Sequence, residues 1–195
     1  MKTVTRDQAR VTHVRGPGMP LLRATMLAAL SEDRQQRLME GLGPAARAFM
    51  AAAARESDWI PVPVVLELEG AFLAMSNLDP FPAHGGLMAQ RMLEGGLEGF
   101  FLNWMGHRAF LRILPLVWNR FNRGGVLDLE YLDDGGAALT LWADYPTPIF
   151  VARVIPAFAE ESLKRLGAKG LKLEYQAPGP EDPSWKHRYL VTWQS

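Results

Sequence analysis

Apolar positions over the first two thirds of the chain recur every three or four residues, and over the last third every second residue. Those are the periods of a helix face and of a strand face. Leu21, Leu22, Met26, Leu27 and Leu30 mark a first helix. Ser31 then stands as N-cap before the acidic turn Glu32, Asp33, which predicts a second helix to about Glu40, stopped by Gly41 and Gly43. Pro44 suits the first position of a third helix, which carries Phe49 and Met50 towards Glu56. Two prolines, Pro61 and Pro63, interrupt the pattern. It resumes over residues 64–75 with Val65, Leu66, Glu69, Phe72 and Leu73.

The stretch 85–122 reads as the spine of the molecule. Met88, Met92, Gly95, Gly96, Gly99, Phe100 and Trp104 recur at spacings of three, four and seven, which places them near one helical face. Three glycines there cost roughly 1 kcal/mol each relative to alanine, so something must approach that face closely. Two occupants fit: another helix, or a bound apolar molecule. Gly106 and His107 mark a corner in the spine, and Pro115 a kink or restart.

After Asn122 the period falls to two. Gly124 and Gly125 end the helix, and Leu127, Leu129 and Tyr131 alternate with Asp128 and Glu130. Asp133 to Gly136 makes a turn, and Leu139 and Leu141 continue on the return strand. Residues 149–166 read as a helix despite Pro156, with Gly167 as its C-cap. Leu171, Leu173 and Tyr175 form a third alternating run; Trp185, His187, Tyr189, Val191 and Trp193 form a fourth. The class expected is α+β: an N-terminal helical layer followed by a β-β-α-β-β unit, whose four-stranded antiparallel sheet packs one face on the helices. Residues 1–19 are expected to be a mobile arm with a short strand near Val11 to Val14. Residues 20–195 are expected to be one domain, helical over 20–122 and sheet over 123–195.

Composition narrows the function. A chain of 195 residues buries roughly 70% of its unfolded surface in one core. The absence of cysteine removes disulfides, thiolate metal sites and cysteine nucleophiles together. With 21 basic and 21 acidic residues the chain lacks the positive field of a nucleic-acid binder. Its N-terminus has no signal-peptide core, and no window offers 18 uninterrupted apolar residues. A cytoplasmic protein without a membrane span is expected.

Candidate chemistry is sparse. The four histidines, His13, His84, His107 and His187, are scattered singly. His13 reads as solvated and His187 as a core histidine with a satisfied partner. Asp79 and His84 could ligate a metal or relay a proton, although His84 reads more simply as a polar residue near a helix start. Glu67 and Glu69 are two apart on a helix, so they face different ways and do not share a proton. Arg108 with Arg112, and Arg120 with Arg123, define a basic edge whose default is solvated arginines beside carboxylates. There is no nucleophile elbow, phosphate loop or His-Glu-x-x-His helix.

The order of the pieces resembles an uncharacterised family of myxobacterial paralogues. Val14-Arg-Gly16, Asp58-Trp-Ile-Pro-Val-Pro63, Leu111-Arg-Ile-Leu-Pro-Leu-Val-Trp118 and Tyr189-Leu-Val-Thr-Trp193 carry the likeness. Helices followed by β-β-α-β-β also resemble haem-nitric-oxide sensors, vinyl-reductase-type ligand domains and vesicle-tethering subunits. The resemblance implies that fold, with a tendency to apolar ligands and to dimers. It does not carry haem or metal over: no tyrosine here begins a Tyr-x-Ser-x-Arg propionate clamp, and the cysteine cluster of the vinyl-reductase-type domains is missing. No cofactor is expected.

Two functional readings follow. One is a regulatory module holding a small apolar ligand between helices and sheet, against Met88, Met92, Gly95, Gly96, Gly99, Phe100 and Trp104. The other is a scaffold that binds a copy of itself or a protein partner, with no ligand. An enzyme using His84 or His107 as a lone general base comes third, and no catalytic residue is assigned.

Overall fold

The computed structural model describes residues 3–16, 18–52, 55–76, 81–94, 96–133, 135–145 and 150–194; of 96–103 it describes the helical backbone. The class is α+β. Short α1 (Arg6–Ala9) and β1 (His13–Val14) lead into α2 (Gly18–Ala29), α3 (Glu32–Gly41), α4 (Pro44–Ala51), β2 (Ile60–Pro61), α5 (Val62–Met75), α6 (Phe81–Glu94) and α7 (Gly96–Phe121). Then come β3 (Asn122–Arg123), β4 (Val126–Tyr131), β5 (Gly136–Trp142), α8 (Ile155–Arg165), β6 (Lys169–Gln176) and β7 (Lys186–Gln194). Ser31 and Pro44 open α3 and α4 as the sequence predicts.

The last third forms one antiparallel sheet of order β4-β5-β7-β6. Leu139 lies opposite Leu129 on one side and Tyr189 on the other, and Tyr189 lies opposite Tyr175. This register puts Leu139, Leu141, Tyr189 and Val191 on a single buried face. Helices α7 and α8 pack on the sheet and α6 packs on both of them, while α3 and α4 pack on α5.

The corner expected in the spine is present: α7 breaks at Gly106, whose φ is 72°. Two other expectations need correction. The helix predicted over 149–166 starts with a wider π-helical turn, Phe150–Val154, and becomes α-helical only from Ile155, with Pro156 in its first turn where no donor is required. Nor do residues 5–16 form a mobile arm. β1 lies between β2 and β3 in a second, small antiparallel sheet, Val11 and Val14 are buried, and the Asp144 N–H donates to the Ala9 carbonyl at 2.8 Å. The polar look of this segment hid two valines that each fill a core position.

A close approach is present at Gly85, a position outside the three glycines from which one was expected. A Cβ there would lie 2.4 Å from the Val154 carbonyl oxygen, so α6 crosses the π-turn backbone to backbone. Gly86, its neighbour, faces nothing within 4 Å. Gly95 lies outside the described residues, as do the side-chain surroundings of Gly96 and Gly99.

Candidate functional site

Where α6, α7, the π-turn and the sheet face meet, the core leaves a cavity of about 90 Å³. Met88 and Met92 of α6 form one wall, and Leu114, Trp118 and Phe121 of α7 the next. Leu127, Leu139 and Leu141 make the sheet floor; Phe150, Val154 and Phe158 close the far side. Polar atoms in the wall are already satisfied. The Tyr189 hydroxyl donates to the Val151 carbonyl at 2.9 Å, the Trp118 indole N–H to the Gly124 carbonyl at 3.1 Å, and the Asn122 amide to the Trp118 carbonyl at 3.1 Å. What remains facing the space is hydrocarbon, sulfur and aromatic carbon.

Glycines set two of these walls. Gly18, at the start of α2, allows the Met88 thioether to lie where a Cβ would sit 2.8 Å from its sulfur. Gly16 has a φ of 102°, which alanine would resist, and a Cβ there would meet the Phe121 ring at 2.5 Å. The turn at residues 15–18 is therefore pressed against both α6 and α7.

One charged residue belongs to the wall. Arg15 follows β1; its backbone N–H donates to the Phe121 carbonyl at 2.9 Å and its Nε to the Arg120 carbonyl at 2.8 Å. Its guanidinium lies over the Trp59 ring at 4.4 Å, and the Arg123 guanidinium lies over the same ring at 4.3 Å.

Behind the cavity sits a small polar cluster. The Tyr145 hydroxyl donates to Asn122 Oδ1 at 3.2 Å, and Glu69 is close enough to Tyr145 to raise its pKa further above the already large effect of burial. Glu69 is itself buried, its Oε2 without a hydrogen-bond partner, and desolvation pushes its carboxyl up to about 7. Glu67 is turned the other way and accepts from the Gly43 N–H, so the two glutamates do lie on different faces.

The residues expected to line a ligand site are thus separated. Met88 and Met92 reach the cavity. Trp104 does not: it lies 83% exposed on α7. The side chains of Gly95, Gly96, Gly99 and Phe100 lie outside the described residues, as does Asp79. His84 is buried in the first turn of α6, its Nδ1 unpartnered, and burial lowers its pKa to about 4. His107 packs edge-on against Trp193, with ring centroids 5.3 Å apart. Neither lines the cavity, and no carboxylate orients either among the described residues. His187 bonds Tyr175 through Nδ1 at 3.0 Å as a core histidine with a satisfied partner, and burial lowers its pKa. Arg108 and Arg112 lie over Trp193 and Tyr131 instead of beside carboxylates. No group of three metal-ligating side chains occurs among the described residues.

Arg15, Asn122 and the π-turn went unnoticed in the sequence. The signal available was the pair Gly16, Gly18 beside Arg15, which marks a turn held tightly against something.

Helices laid over one face of a four-stranded antiparallel sheet, with an apolar cavity at their junction, define an H-NOX-like fold. The Fe(II) unliganded H-NOX protein from K. algicida superposes with a TM-score of 0.64 over 91% of this chain and 96% of its own, at 6% identity. An H-NOX studied for haem distortion gives 0.63 over 93% and 95%, at 9% identity. The solution structure of the Shewanella woodyi H-NOX in its Fe(II)CO state gives 0.60 over 91% and 94%, at 12% identity. At such identities the likeness is one of fold. No family model matches the chain, and no curated protein matches it in sequence.

Proposed function

We propose that the protein is a non-enzymatic regulatory module that binds a small apolar molecule in the cavity between α6, α7 and the sheet. The observation carrying this is the cavity itself, an unfilled space whose wall, Arg15 apart, is apolar or has its polar atoms bonded elsewhere. Two methionines suit such a site because their unbranched side chains adapt to a guest. Two of the segments shared with the myxobacterial paralogues, at residues 14–16 and 111–118, contribute Arg15, Leu114 and Trp118 to the wall, which supports keeping that resemblance in the proposal. No helix among the described residues is long and apolar enough to cross a membrane, and we place the module in the cytoplasm.

Haem, present in the H-NOX neighbours, does not fit this site. At about 90 Å³ the space is smaller than the roughly 150 Å³ cavity that accepts benzene, and no histidine is among its lining residues. The guest is of benzene size or less. A thermal-shift and native mass spectrometry series with short alcohols, short alkanes and benzene tests this. Binding should raise the unfolding midpoint, and Ala159→Leu, which fills the space from α8, should abolish that response while leaving the ligand-free midpoint unchanged or higher. If no member of the series binds the wild type, the proposal fails.

A second reading has its own observation. Trp104 and Leu116 of α7 are 83% and 68% exposed, which suits self-association or a protein partner at that helix. Sedimentation velocity should then show a dimer that Trp104→Glu with Leu116→Glu dissociates. A wild type that stays monomeric at all concentrations removes self-association.

A further inference from the structure

We infer that the ligand carries a negative charge: the site is built for a small amphipathic anion, with its hydrocarbon end among Met88, Met92 and Phe158 and its carboxylate on Arg15. This rests on the cavity reading above and names the chemistry of the guest.

Arg15 is the one cation in a wall that is otherwise apolar apart from Asn122 and the Tyr189 hydroxyl. A half-buried arginine usually has a carboxylate beside it, because its charge has lost part of its water. Among the described residues Arg15 forms no ion pair; Glu56 accepts from the Gly16 N–H through its backbone carbonyl, and its carboxylate faces Arg91 at 3.7 Å. The guanidinium is nevertheless held still. Nε donates to the Arg120 carbonyl and the plane rests on Trp59, which leaves the two terminal nitrogens, the pair that grips a carboxylate side by side, without a hydrogen-bond partner among the described residues.

A second cation reinforces the first. Arg123 shares the Trp59 ring with Arg15, and it too forms no ion pair among the described residues. With two guanidiniums on one indole the potential around the Trp59 end of Arg15 is positive, which favours an anion there. Holding Arg15 twice, through its backbone at Phe121 and its side chain at Arg120, means that little side-chain freedom is lost when the anion arrives.

Three probes with one tail and different heads test this on the whole chain: butanoate, butan-1-ol and butylamine, by calorimetry near neutral pH. Butanoate should bind the wild type at least about tenfold more tightly than the alcohol, the range of a hydrogen-bonded charge, and butylamine more weakly than both. In Arg15→Met, which keeps the apolar stem, the advantage of the carboxylate should vanish while the affinity for butan-1-ol stays within about twofold; Arg15→Lys should restore part of it. Equal binding of butanoate and butan-1-ol by the wild type overturns the anion while leaving the cavity reading intact. Loss of both probes in Arg15→Met and Arg15→Lys alike gives Arg15 a structural role only and also overturns it. If none of the three binds, the cavity reading falls and this inference with it.

Discussion

Gly85→Ala should lower the unfolding midpoint sharply, whereas Gly86→Ala, one residue on, should raise it slightly. The two positions have the same residue and the same helix, so propensity alone predicts a gain of roughly 0.5–1 kcal/mol for both. At Gly85 the added methyl would sit 2.4 Å from the Val154 carbonyl oxygen, 2.9 Å from the Ala157 Cβ and 3.0 Å from the Phe158 backbone nitrogen. Two of those neighbours are backbone and cannot rotate away. Relief requires α6 to withdraw from the π-turn, and Val154 is fully buried. Overpacking of this kind costs about 3 kcal/mol, or roughly 6–12 °C for a chain of this size. Because Met88 and Met92 ride on α6 while Val154 and Phe158 ride on the opposing segment, the same substitution should also weaken probe binding. Thermal unfolding of the two single variants is sufficient; equal midpoints would show that α6 and the π-turn are not in close register.

Glu69→Gln and His84→Gln should unmask opposite pH dependences that the wild type hides. Burial raises the Glu69 carboxyl from 4.5 to about 7 and lowers the His84 imidazole from 6.5 to about 4. As pH rises from 4.5 to 7 the unfolded chain gives up the Glu69 proton and the folded one keeps it, so the folded state loses stability over that interval. As pH falls from 6.5 to 4 the unfolded chain gains a proton at His84 that the folded one refuses, so stability is lost in the other direction. Each displacement corresponds to on the order of 3 kcal/mol. Between pH 4.5 and 6.5 the two slopes oppose each other, and the unfolding free energy from these groups is nearly level. Without the Glu69 acid it should climb with pH up to about 6.5 and exceed the wild type above pH 7. Without the His84 base it should fall as pH rises from 4.5 to 7. Urea unfolding at a series of pH values reads both slopes, and variants that track the wild type throughout would exclude the buried, partnerless state of these groups.

The sheet was legible in the sequence because polar and apolar positions alternate along β4, β6 and β7, and β5, buried on both faces, follows β4 across a glycine turn. Helices α3 and α4 announced themselves through Ser31 and Pro44. The spine was less legible: its spacing put Met88 and Trp104 near one face, yet Met88 lines the cavity and Trp104 is exposed. The inner end of the cavity was hidden for another reason. Asn122, Phe150 and Arg15 come together from segments far apart, and spacing within one segment carries no trace of such a meeting. Only the glycine-rich turn after Arg15 left a local mark.

That meeting has a consequence for how the molecule is assembled in time. Arg15 is tied to Arg120, 105 residues later, and Arg6 to Asp144, 138 residues later. Contacts of such span close the largest loops in the chain and form slowly compared with the hairpin of β4 and β5. During synthesis β1 can pair with β2 early, but the Arg15 side chain waits for α7, and the sheet floor and Phe158 are made later still. The cavity is therefore closed late, which leaves an interval in synthesis when a guest could be enclosed by the folding chain instead of entering a finished one.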